Sequence, residues 1–214
     1  MLSGFRLMLA AAVLTALLFS CGNNNEENTQ TKEIPVINYK TAKDSAKQDQ
    51  APIINIVDTA SPEWSILYMK DSSSTGDGIA RKLAAIYHQK LPEFIKKNKL
   101  EISGPFIAWY TQDKKGNGFF FEAGIPVNRK PVKSGKKVLF RQIGRHGDSA
   151  MIAHYYGPYE LTYYAYEALK ERLNELGKKQ KGKIFEVYID NPTDDKGNRI
   201  DPFKVRTDII ALYE

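Results

Sequence analysis

The chain has 214 residues, of which 42% are hydrophobic and 26% are charged. This composition is ordinary for a globular protein and excludes a chain that is disordered throughout. The formal net charge of +6 is too small to indicate a nucleic-acid-binding protein by itself. A single cysteine excludes an intramolecular disulfide and a cysteine-based zinc cluster.

Residues 1–20 have the pattern of a secretion signal. Arg6 supplies the positive charge, and the apolar run Leu7–Phe19 follows it without a charged residue. This run is shorter than the roughly 20 residues that a transmembrane helix needs. It leads into Leu18-Phe19-Ser20-Cys21, which resembles the lipobox of bacterial lipoproteins. We therefore expect lipidation at Cys21 and a mature chain that begins there. The alternative is an ordinary signal peptide with an incidental cysteine.

The residue after Cys21 bears on the membrane to which such an anchor would attach the chain. Gly22 stands where some Gram-negative lipoproteins carry the aspartate that is associated with retention in the inner membrane. The expectation is therefore a lipid-anchored protein of the cell envelope, at the outer membrane of a Gram-negative bacterium.

The segment 21–60 is predicted to be a tether between this anchor and a fold that spans 61–214. Residues Gly22–Gln50 are mostly polar and cannot bury enough apolar surface to offset the entropy of the chain. The run Pro52–Val57 is apolar and strand-like. It is either an added edge strand or a part of the tether, and its periodicity does not decide between the two.

From Ser61 onward the pattern strand, helix, strand, strand occurs twice. The first copy is predicted to contain strands at Trp64–Lys70, Gly104–Tyr110 and Phe119–Val127, and a helix that kinks or restarts at Pro92. The second is predicted to contain strands at Ala150–Tyr156, Gly182–Asp190 and Phe203–Tyr213, and a helix from Gly157-Pro158 to Gly177. Val138–Ile143 is a further candidate strand. The predicted fold class is α+β, a duplicated β-α-β-β module with pseudo-twofold symmetry.

The middle strands of the two copies align without a gap, so that Gly104 corresponds to Gly182 and Ala108 to Glu186. Alternate side chains of a strand lie on one face. One face therefore presents Phe106, Ala108 and Tyr110, and the equivalent face presents Ile184, Glu186 and Tyr188. We expect the two copies to meet along these strands and to leave a cleft there.

Three segments resemble motifs of a known family. They are His154–Glu160 (HYYGPYE), Ile184–Pro192 (IFEVYIDNP) and Phe121–Val127 (FEAGIPV). They are similar to the hallmarks of the GyrI-like small-molecule-binding domain, which is also the effector-binding domain of multidrug-sensing regulators of the AraC and MerR types. The resemblance covers about Ser61–Tyr213. It departs from the family at Phe185, where tryptophan is frequent, and in the absence of a helix-turn-helix domain.

The resemblance implies a central cleft that binds flat, often cationic, organic molecules. It places the family's central glutamate at Glu186 and its aromatic wall at Tyr188 and Tyr110. A carboxylate buried among aromatic rings is unfavourable unless it is paired or protonated, and a cationic ligand would supply the missing charge. The alternative is that a lysine or a backbone amide satisfies Glu186. The predicted ligand-binding residues are Glu186, Tyr188, Tyr110, Phe106, Ala108 and Tyr155.

The leading functional hypothesis is an envelope-anchored lipoprotein that binds a small aromatic or amphipathic molecule between the two repeats. One form of this hypothesis has a cationic molecule as the ligand. The alternative is a hydrolase of strained electrophilic compounds, in which Glu186 acts as a general base. A third hypothesis is a scaffold whose cleft is filled by its own side chains. No cofactor, metal site or nucleic-acid partner is expected. His154 is interpreted as a strand residue whose side chain has a hydrogen-bond partner within the fold. The oligomeric state is left open.

Cys21→Ser tests the lipid anchor. Without the thiol there is no group to acylate, so the variant should leave the membrane fraction or remain unprocessed. Membrane fractionation together with intact-mass measurement distinguishes these states. A variant that is correctly cleaved and still fractionates with membranes would contradict the anchor.

Overall fold

Eight strands and three α-helices make up the described part of the chain, which is residues 50–112, 118–132 and 135–214 of a computed structural model. The strands are β1 (Ile53–Ala60), β2 (Trp64–Ser73), β3 (Phe106–Gln112), β4 (Phe119–Val127), β5 (Leu139–Ile143), β6 (Ser149–Tyr156), β7 (Phe185–Tyr188) and β8 (Arg206–Tyr213). The helices are α1 (Gly76–Ala85), α2 (Leu91–Lys97) and α3 (Tyr163–Glu175). The predicted signal segment 1–20, Cys21 and the predicted tether up to residue 49 lie outside the described residues.

All eight strands form one antiparallel sheet in the order β1-β6-β8-β7-β3-β4-β2-β5. The first copy of the module supplies β2, β3 and β4, and the second supplies β6, β7 and β8. The copies join where β3 pairs with β7, in a register that sets Ala108 opposite Glu186. Since these two residues are also equivalent in the sequence alignment, the pseudo-twofold axis passes between them. The predicted α+β fold with a duplicated β-α-β-β module is confirmed.

The two remaining strands are exchanged between the copies. β1 precedes the first copy and pairs with β6 of the second, whereas β5 precedes the second copy and pairs with β2 of the first. The open question about Pro52–Val57 is thereby answered, because all of this run after Pro52 lies in an edge strand of the sheet. The boundary expected at Ser61 falls after all 8 residues of β1, so the fold begins earlier than the sequence pattern indicated.

The exchange forces the two linkers that follow β1 and β5 to cross. At the crossing, the backbone N–H of Ser61 donates to the carbonyl of Asp148 over 2.8 Å. Gly144 lies against the other linker, where a Cβ would stand 2.2 Å from the carbonyl oxygen of Pro62. Its φ of +66° is also in the left-handed region that favours glycine. The crossing therefore depends on a residue without a side chain.

The helices cover one face of the sheet in two separate groups. The first group packs α1 and α2 on the first copy, around residues such as Leu67, Ile86 and Ile125, and the second packs α3 on the second copy, around Leu169 and Ile209. A third cluster lies on the opposite face and draws on both copies. Its buried members are Ile66, Tyr68, Ile107, Trp109, Ile143, Ala150, Phe185, Val187 and Ile210. Phe185 is thus part of the core, as its position next to Glu186 on the strand predicted.

The first helical region is interrupted as Pro92 predicted. α1 begins after Thr75, whose side chain accepts a hydrogen bond from the N–H of Gly78. It runs into a π-helical segment, Ile86–Lys90, which leads into α2 with Pro92 in its first turn. Proline has no N–H and its ring clashes with the carbonyl four residues before it, so a regular α-helix cannot continue through this point.

The last two strands are shorter than their predicted ranges. β7 omits the first residues of Gly182–Asp190, where Gly182 has a φ of +75°, and it ends at Tyr188. β8 begins at Arg206 because Pro202–Lys204 forms a 3-10 turn, in which Asp201 accepts from the N–H of Phe203. In the part of the chain that is described, no helix is long and apolar enough to cross a membrane.

Gly144→Ala is expected to lower the free energy of unfolding by about 2–4 kcal/mol. The left-handed backbone accounts for about 1–2 kcal/mol and the displaced Pro62 linker for the remainder. Gly147→Ala is the matched control, because Gly147 has a φ of +87° but no atom lies within 4 Å of the position that a Cβ would occupy. It should lose only the backbone contribution. Equal losses in chemical denaturation of the two variants would show that the crossing is not tightly packed.

Candidate functional site

Glu186 lies at the junction of the two copies with its side chain on the helix-covered face of β7. The residue is 4% exposed. Tyr166 of α3 donates its hydroxyl to Oε1 over 2.9 Å, and Tyr188 donates to Oε2 over 3.1 Å. Its hydrogen-bond partners are therefore tyrosine hydroxyls, and neither a lysine nor a backbone amide of the described residues bonds to its carboxylate.

The hydrogen bonds continue to the first copy through Tyr110. The hydroxyls of Tyr110 and Tyr188 are 2.7 Å apart. Since the Tyr188 hydroxyl donates to Glu186, it accepts from Tyr110. The resulting chain runs from Tyr110 to Tyr188 to Glu186, and Tyr166 reaches the same carboxylate from the other side. We call these four residues the tyrosine–glutamate network.

The charge of Glu186 is not neutralised within this network. No lysine or arginine in the described ranges forms an ion pair with Glu186. Burial raises the pKa of Glu186 to about 7, although the hydrogen bonds from Tyr166 and Tyr188 favour the ionised form. Burial, followed by the negative charge of Glu186, raises the pKa of Tyr166 well above its ordinary value, so this phenol remains a donor.

Flat aromatic surfaces border the network on the side of the first copy. Tyr87 stacks on Phe106 with ring centroids 4.5 Å apart and an interplanar angle of 4°. The Tyr87 hydroxyl donates a hydrogen bond to the carbonyl of Ile107 over 2.7 Å. The ring of Tyr188 meets Tyr87 edge-on at 6.1 Å, and His88 meets Phe106 edge-on at 5.4 Å. The π-helical segment thus places two consecutive rings against β3.

Tyr159 lies at the outer side of the network. It is 40% exposed, and its ring meets that of Tyr188 edge-on at 5.9 Å. It begins the 3-10 turn Tyr159–Leu161, which connects β6 to α3. This turn is held in place by Tyr155, whose hydroxyl donates to the carbonyl of Pro158 over 2.5 Å.

Five of the six predicted ligand-binding residues lie together at the junction. Glu186, Tyr188 and Tyr110 belong to the network, Phe106 is opposite Tyr188 in the strand register, and Ala108 is fully buried opposite Glu186. Tyr155 does not lie at the junction. It is 1% exposed within the core under α3, and its hydroxyl donates to the carbonyl of Pro158.

Sequence reasoning did not single out Tyr166 and Tyr87 as site residues. Tyr166 lies on the buried stripe of α3 with Ala165, Leu169 and Leu173. A phenol on a buried stripe needs a partner for its hydroxyl, and that requirement is a signal from which Tyr166 could have been predicted. Tyr87 carried no such signal, since its contact with Phe106 depends on how the π-helical segment packs on β3.

The opposite face carries carboxylates that are paired. Asp208 is held by both Nε and a terminal nitrogen of Arg206, and its Oδ1 lies 2.7 Å from Nδ1 of His154. His154 is therefore a partnered strand residue. In the first copy, Glu122 pairs with Arg141, whose guanidinium lies 3.9 Å from the ring centroid of Tyr68. Within the described ranges no group of three or more His, Cys, Asp or Glu residues could hold a metal ion.

Comparison with known proteins identifies the fold. No protein-family model and no curated protein matches the chain. Among solved structures, the crystal structure of the EcmrR C-terminal domain is similar with 19% identity and a TM-score of 0.59, over 77% of this chain and 99% of that one. EcmrR in a cryo-EM complex with DNA matches with 18% identity and a TM-score of 0.58, over 76% of this chain.

The chain spans 58% of the length of EcmrR in that complex. An uncharacterized conserved protein from Listeria innocua matches with 13% identity and a TM-score of 0.52, over 74% of this chain and 92% of that one. At these identities the likeness concerns the fold. The chain has an α+β fold similar to that of the EcmrR C-terminal domain, and this fold is consistent with the GyrI-like motifs in its sequence.

The raised pKa of Glu186 predicts how stability depends on pH. Its ordinary pKa is 4.5 and its folded-state pKa is about 7, so between these values the folded chain holds more protons than the unfolded chain. The free energy of unfolding should therefore fall as the pH rises from 4.5 to 7, by up to roughly 3 kcal/mol. Glu186→Gln should be roughly 1–3 kcal/mol more stable than the parent at pH 8, with the difference disappearing towards pH 4.5.

Denaturant unfolding at a series of pH values measures this difference. Glu167→Gln is the control, because it removes the same charge from a side chain that is 58% exposed on α3. It should follow the parent at every pH. A constant offset between Glu186→Gln and the parent across the range would contradict the assigned pKa.

Proposed function

We propose that the protein binds a small, flat organic cation at the junction of its two copies. The observation that carries this proposal is the buried carboxylate of Glu186, which is held by two tyrosine hydroxyls and has no cationic partner among the described residues. An ionised carboxylate in this position is unfavourable. A bound cation would supply the charge that the chain leaves out, so the ionised form would be stabilised in the complex.

The surrounding rings define the class of ligand. A cation over an aromatic face gains about 0.5–2 kcal/mol, and the gain increases when water is excluded. Tyr188 and the stacked pair Tyr87–Phe106 present such surfaces next to the carboxylate. A flat aromatic cation matches both the charge and the rings, whereas a small inorganic cation would match the charge alone.

Access to Glu186 requires a side chain to move. The carboxylate is almost fully enclosed, and Tyr159 is the most exposed of the rings that contact the network. We infer that a ligand enters beside Tyr159, displaces its ring from Tyr188 and takes over part of the hydrogen bonding of the network. Ala108 places no long side chain opposite Glu186 in the strand register, which favours a ligand site over a cleft that a side chain of β3 fills at this position.

The proposed setting is the cell envelope. The lipobox-like segment that ends at Cys21 supports a lipid anchor, with Gly22 favouring the outer membrane of a Gram-negative bacterium. EcmrR binds DNA in its cryo-EM complex, but this chain corresponds to only part of EcmrR. The DNA binding of EcmrR is not carried over to this chain, and we propose ligand binding as the role of the fold that the two proteins share.

A hydrolase is the second candidate function. A general base works best when its pKa is near the working pH, and burial brings the pKa of Glu186 to about 7. Tyr166 and Tyr188 would then be the hydroxyls that can return a proton to a leaving group. The strained electrophilic compounds suggested by the family resemblance are the substrates to test.

Glu186→Gln tests the charged site with a matched pair of ligands. N-methylacridinium carries a fixed charge, whereas acridine has nearly the same ring system and is neutral at pH 8. The variant should bind N-methylacridinium roughly ten- to a hundredfold more weakly than the parent, because a charge-assisted contact contributes about 1.5–3 kcal/mol. Its affinity for acridine should be almost unchanged. Fluorescence titration measures both affinities.

Glu167→Gln controls for the loss of one negative charge from a side chain that is 58% exposed on α3, and it should bind both dyes as the parent does. Equal binding of N-methylacridinium by the parent and Glu186→Gln would rule out the charged site. Retained binding together with loss of a slow hydrolysis of a strained electrophile would favour the hydrolase instead.

A further inference from the structure

At one edge of the sheet, the outer side of β1 pairs with no other strand of the described residues. β1 pairs with β6 through all of its 8 residues, from Ile53 opposite Tyr156 to Ala60 opposite Ser149, without a bulge. No strand in the described ranges pairs with the other side of β1. A row of backbone N–H and carbonyl groups is therefore available to a further strand.

This edge lacks the features that usually prevent strand association. Proteins protect edge strands by short length, proline, bulges or charged side chains, lysine above all. β1 has no proline and no basic residue, and its one charged side chain, Asp58, accepts a hydrogen bond from the Tyr213 hydroxyl over 2.6 Å. β5, at the other edge, has 5 residues and includes Arg141.

Two apolar side chains of β1 are exposed on the same face. Ile53 is 52% exposed and Val57 is 39% exposed. Both lie on the face opposite the helices, since the alternate residues Ile54 and Ile56 pack against the core under α3. Asn55 is exposed between Ile53 and Val57. The apolar positions are thus spaced evenly about Asn55.

We propose that β1 pairs with β1 of a second copy of this chain, antiparallel and in a register centred on Asn55. A twofold axis through that position sets Ile53 opposite the partner's Val57 on the exposed face. On the helix-covered face it sets Ile54 opposite the partner's Ile56. A register centred on Ile56 would instead set Ile54 opposite the partner's Asp58. The register centred on Asn55 pairs apolar side chains with apolar side chains on both faces, and it keeps the carboxylate of Asp58 outside these pairs.

The dimer would be a continuous sheet with all helices on one side. The interface is self-complementary, as a twofold contact requires. It is also small, since five residues of each strand are paired, and interfaces below about 1,000 Å² lie at the weak end of specific association. We therefore expect a reversible dimer. The inference does not depend on the ligand proposal, since the network and β1 are on different strands.

Cysteine cross-linking of the full chain, in the cell fraction that contains it, tests the register. In the proposed dimer the two Cα atoms at position 55 are about 4.5–5.5 Å apart, which a disulfide can span. Asn55→Cys should therefore form a covalent dimer on mild oxidation. Thr59→Cys is the control, because the Cα atoms of residue 59 in the two copies would be about 26 Å apart. The parent chain, with Cys21 alone, reports the background.

A charge placed on the edge gives the second test. Val57→Lys, combined with Asn55→Cys, should abolish the cross-link, because two lysines would flank the paired strands. Leu139→Lys is the matched control, since Leu139 is also 39% exposed but lies on β5 at the opposite edge. It should leave the cross-link intact. Circular dichroism confirms that each variant is folded.

Three outcomes would overturn the proposal. They are no cross-link above the background in Asn55→Cys, an equal cross-link in Thr59→Cys, and an equal loss in the Val57→Lys and Leu139→Lys combinations. The absence of a cross-link in Asn55→Cys is also the result expected if a segment of this chain preceding residue 50 covers β1.

Discussion

A single buried carboxylate sits where the two halves of this protein meet. Glu186 lies at the centre of the β3–β7 junction, opposite Ala108, and a chain of hydrogen bonds connects it to tyrosines of both halves. The second half holds the carboxylate directly through Tyr166 and Tyr188, while the first half contributes Tyr110 through Tyr188. The hydrogen bonds stabilise the ionised form of Glu186, but they do not supply a positive charge. Burial therefore still raises the pKa of Glu186 to about 7.

The contrast with the opposite face shows that this lack of a cation is specific to the junction. Glu122 and Asp208 occupy equivalent positions in the two halves, opposite Trp109 on β3 and Val187 on β7. Each has an arginine partner, Arg141 and Arg206 respectively. These carboxylates are neutralised by the chain itself. Glu186 differs in that its partners are all phenols, and this difference supports a ligand site on the helix-covered face alone.

The exchange of β1 and β5 explains how the halves are held in register around the junction. Each half is bounded by a strand that belongs to the other, and the linkers cross at Ser61 and Gly144. The two halves are thus connected at the centre of the sheet and again at its edges. Neither half can rotate about the pseudo-twofold axis without breaking strand pairs elsewhere, so the tyrosines of both halves remain within reach of one carboxylate.

The exchange also leaves β1 as the outermost strand. Its inner face contributes Ile54 and Ile56 to the core under α3, while its outer edge has no partner in the described ranges. One strand therefore serves both the stability of the second half and a surface for association. The other edge, which is short and carries Arg141, offers much less backbone to a partner.

The sequence by itself determined the repeated module, the α+β class and the meeting of the two copies along the strands that carry Ala108 and Glu186. The elements follow from hydrophobic periodicity, which is a local property, and the correspondence of the two strands follows from a gap-free alignment of the copies. The face shared by Phe106, Ala108 and Tyr110 follows in the same way from strand alternation. Pro92 and Gly177 likewise act on the backbone next to them.

Only the tertiary structure decided which residues complete the site and where β1 belongs. Tyr166 joins the network from α3, and Tyr87 packs against Tyr188 from the π-helical segment. The packing angle of a helix on a sheet is not a local property. The pairing of β1 with β6 joins residues about a hundred positions apart. An apolar run of this length is compatible with an edge strand or with a tether. The choice depends on whether a distant strand offers it a partner, which the sequence of the run itself does not specify.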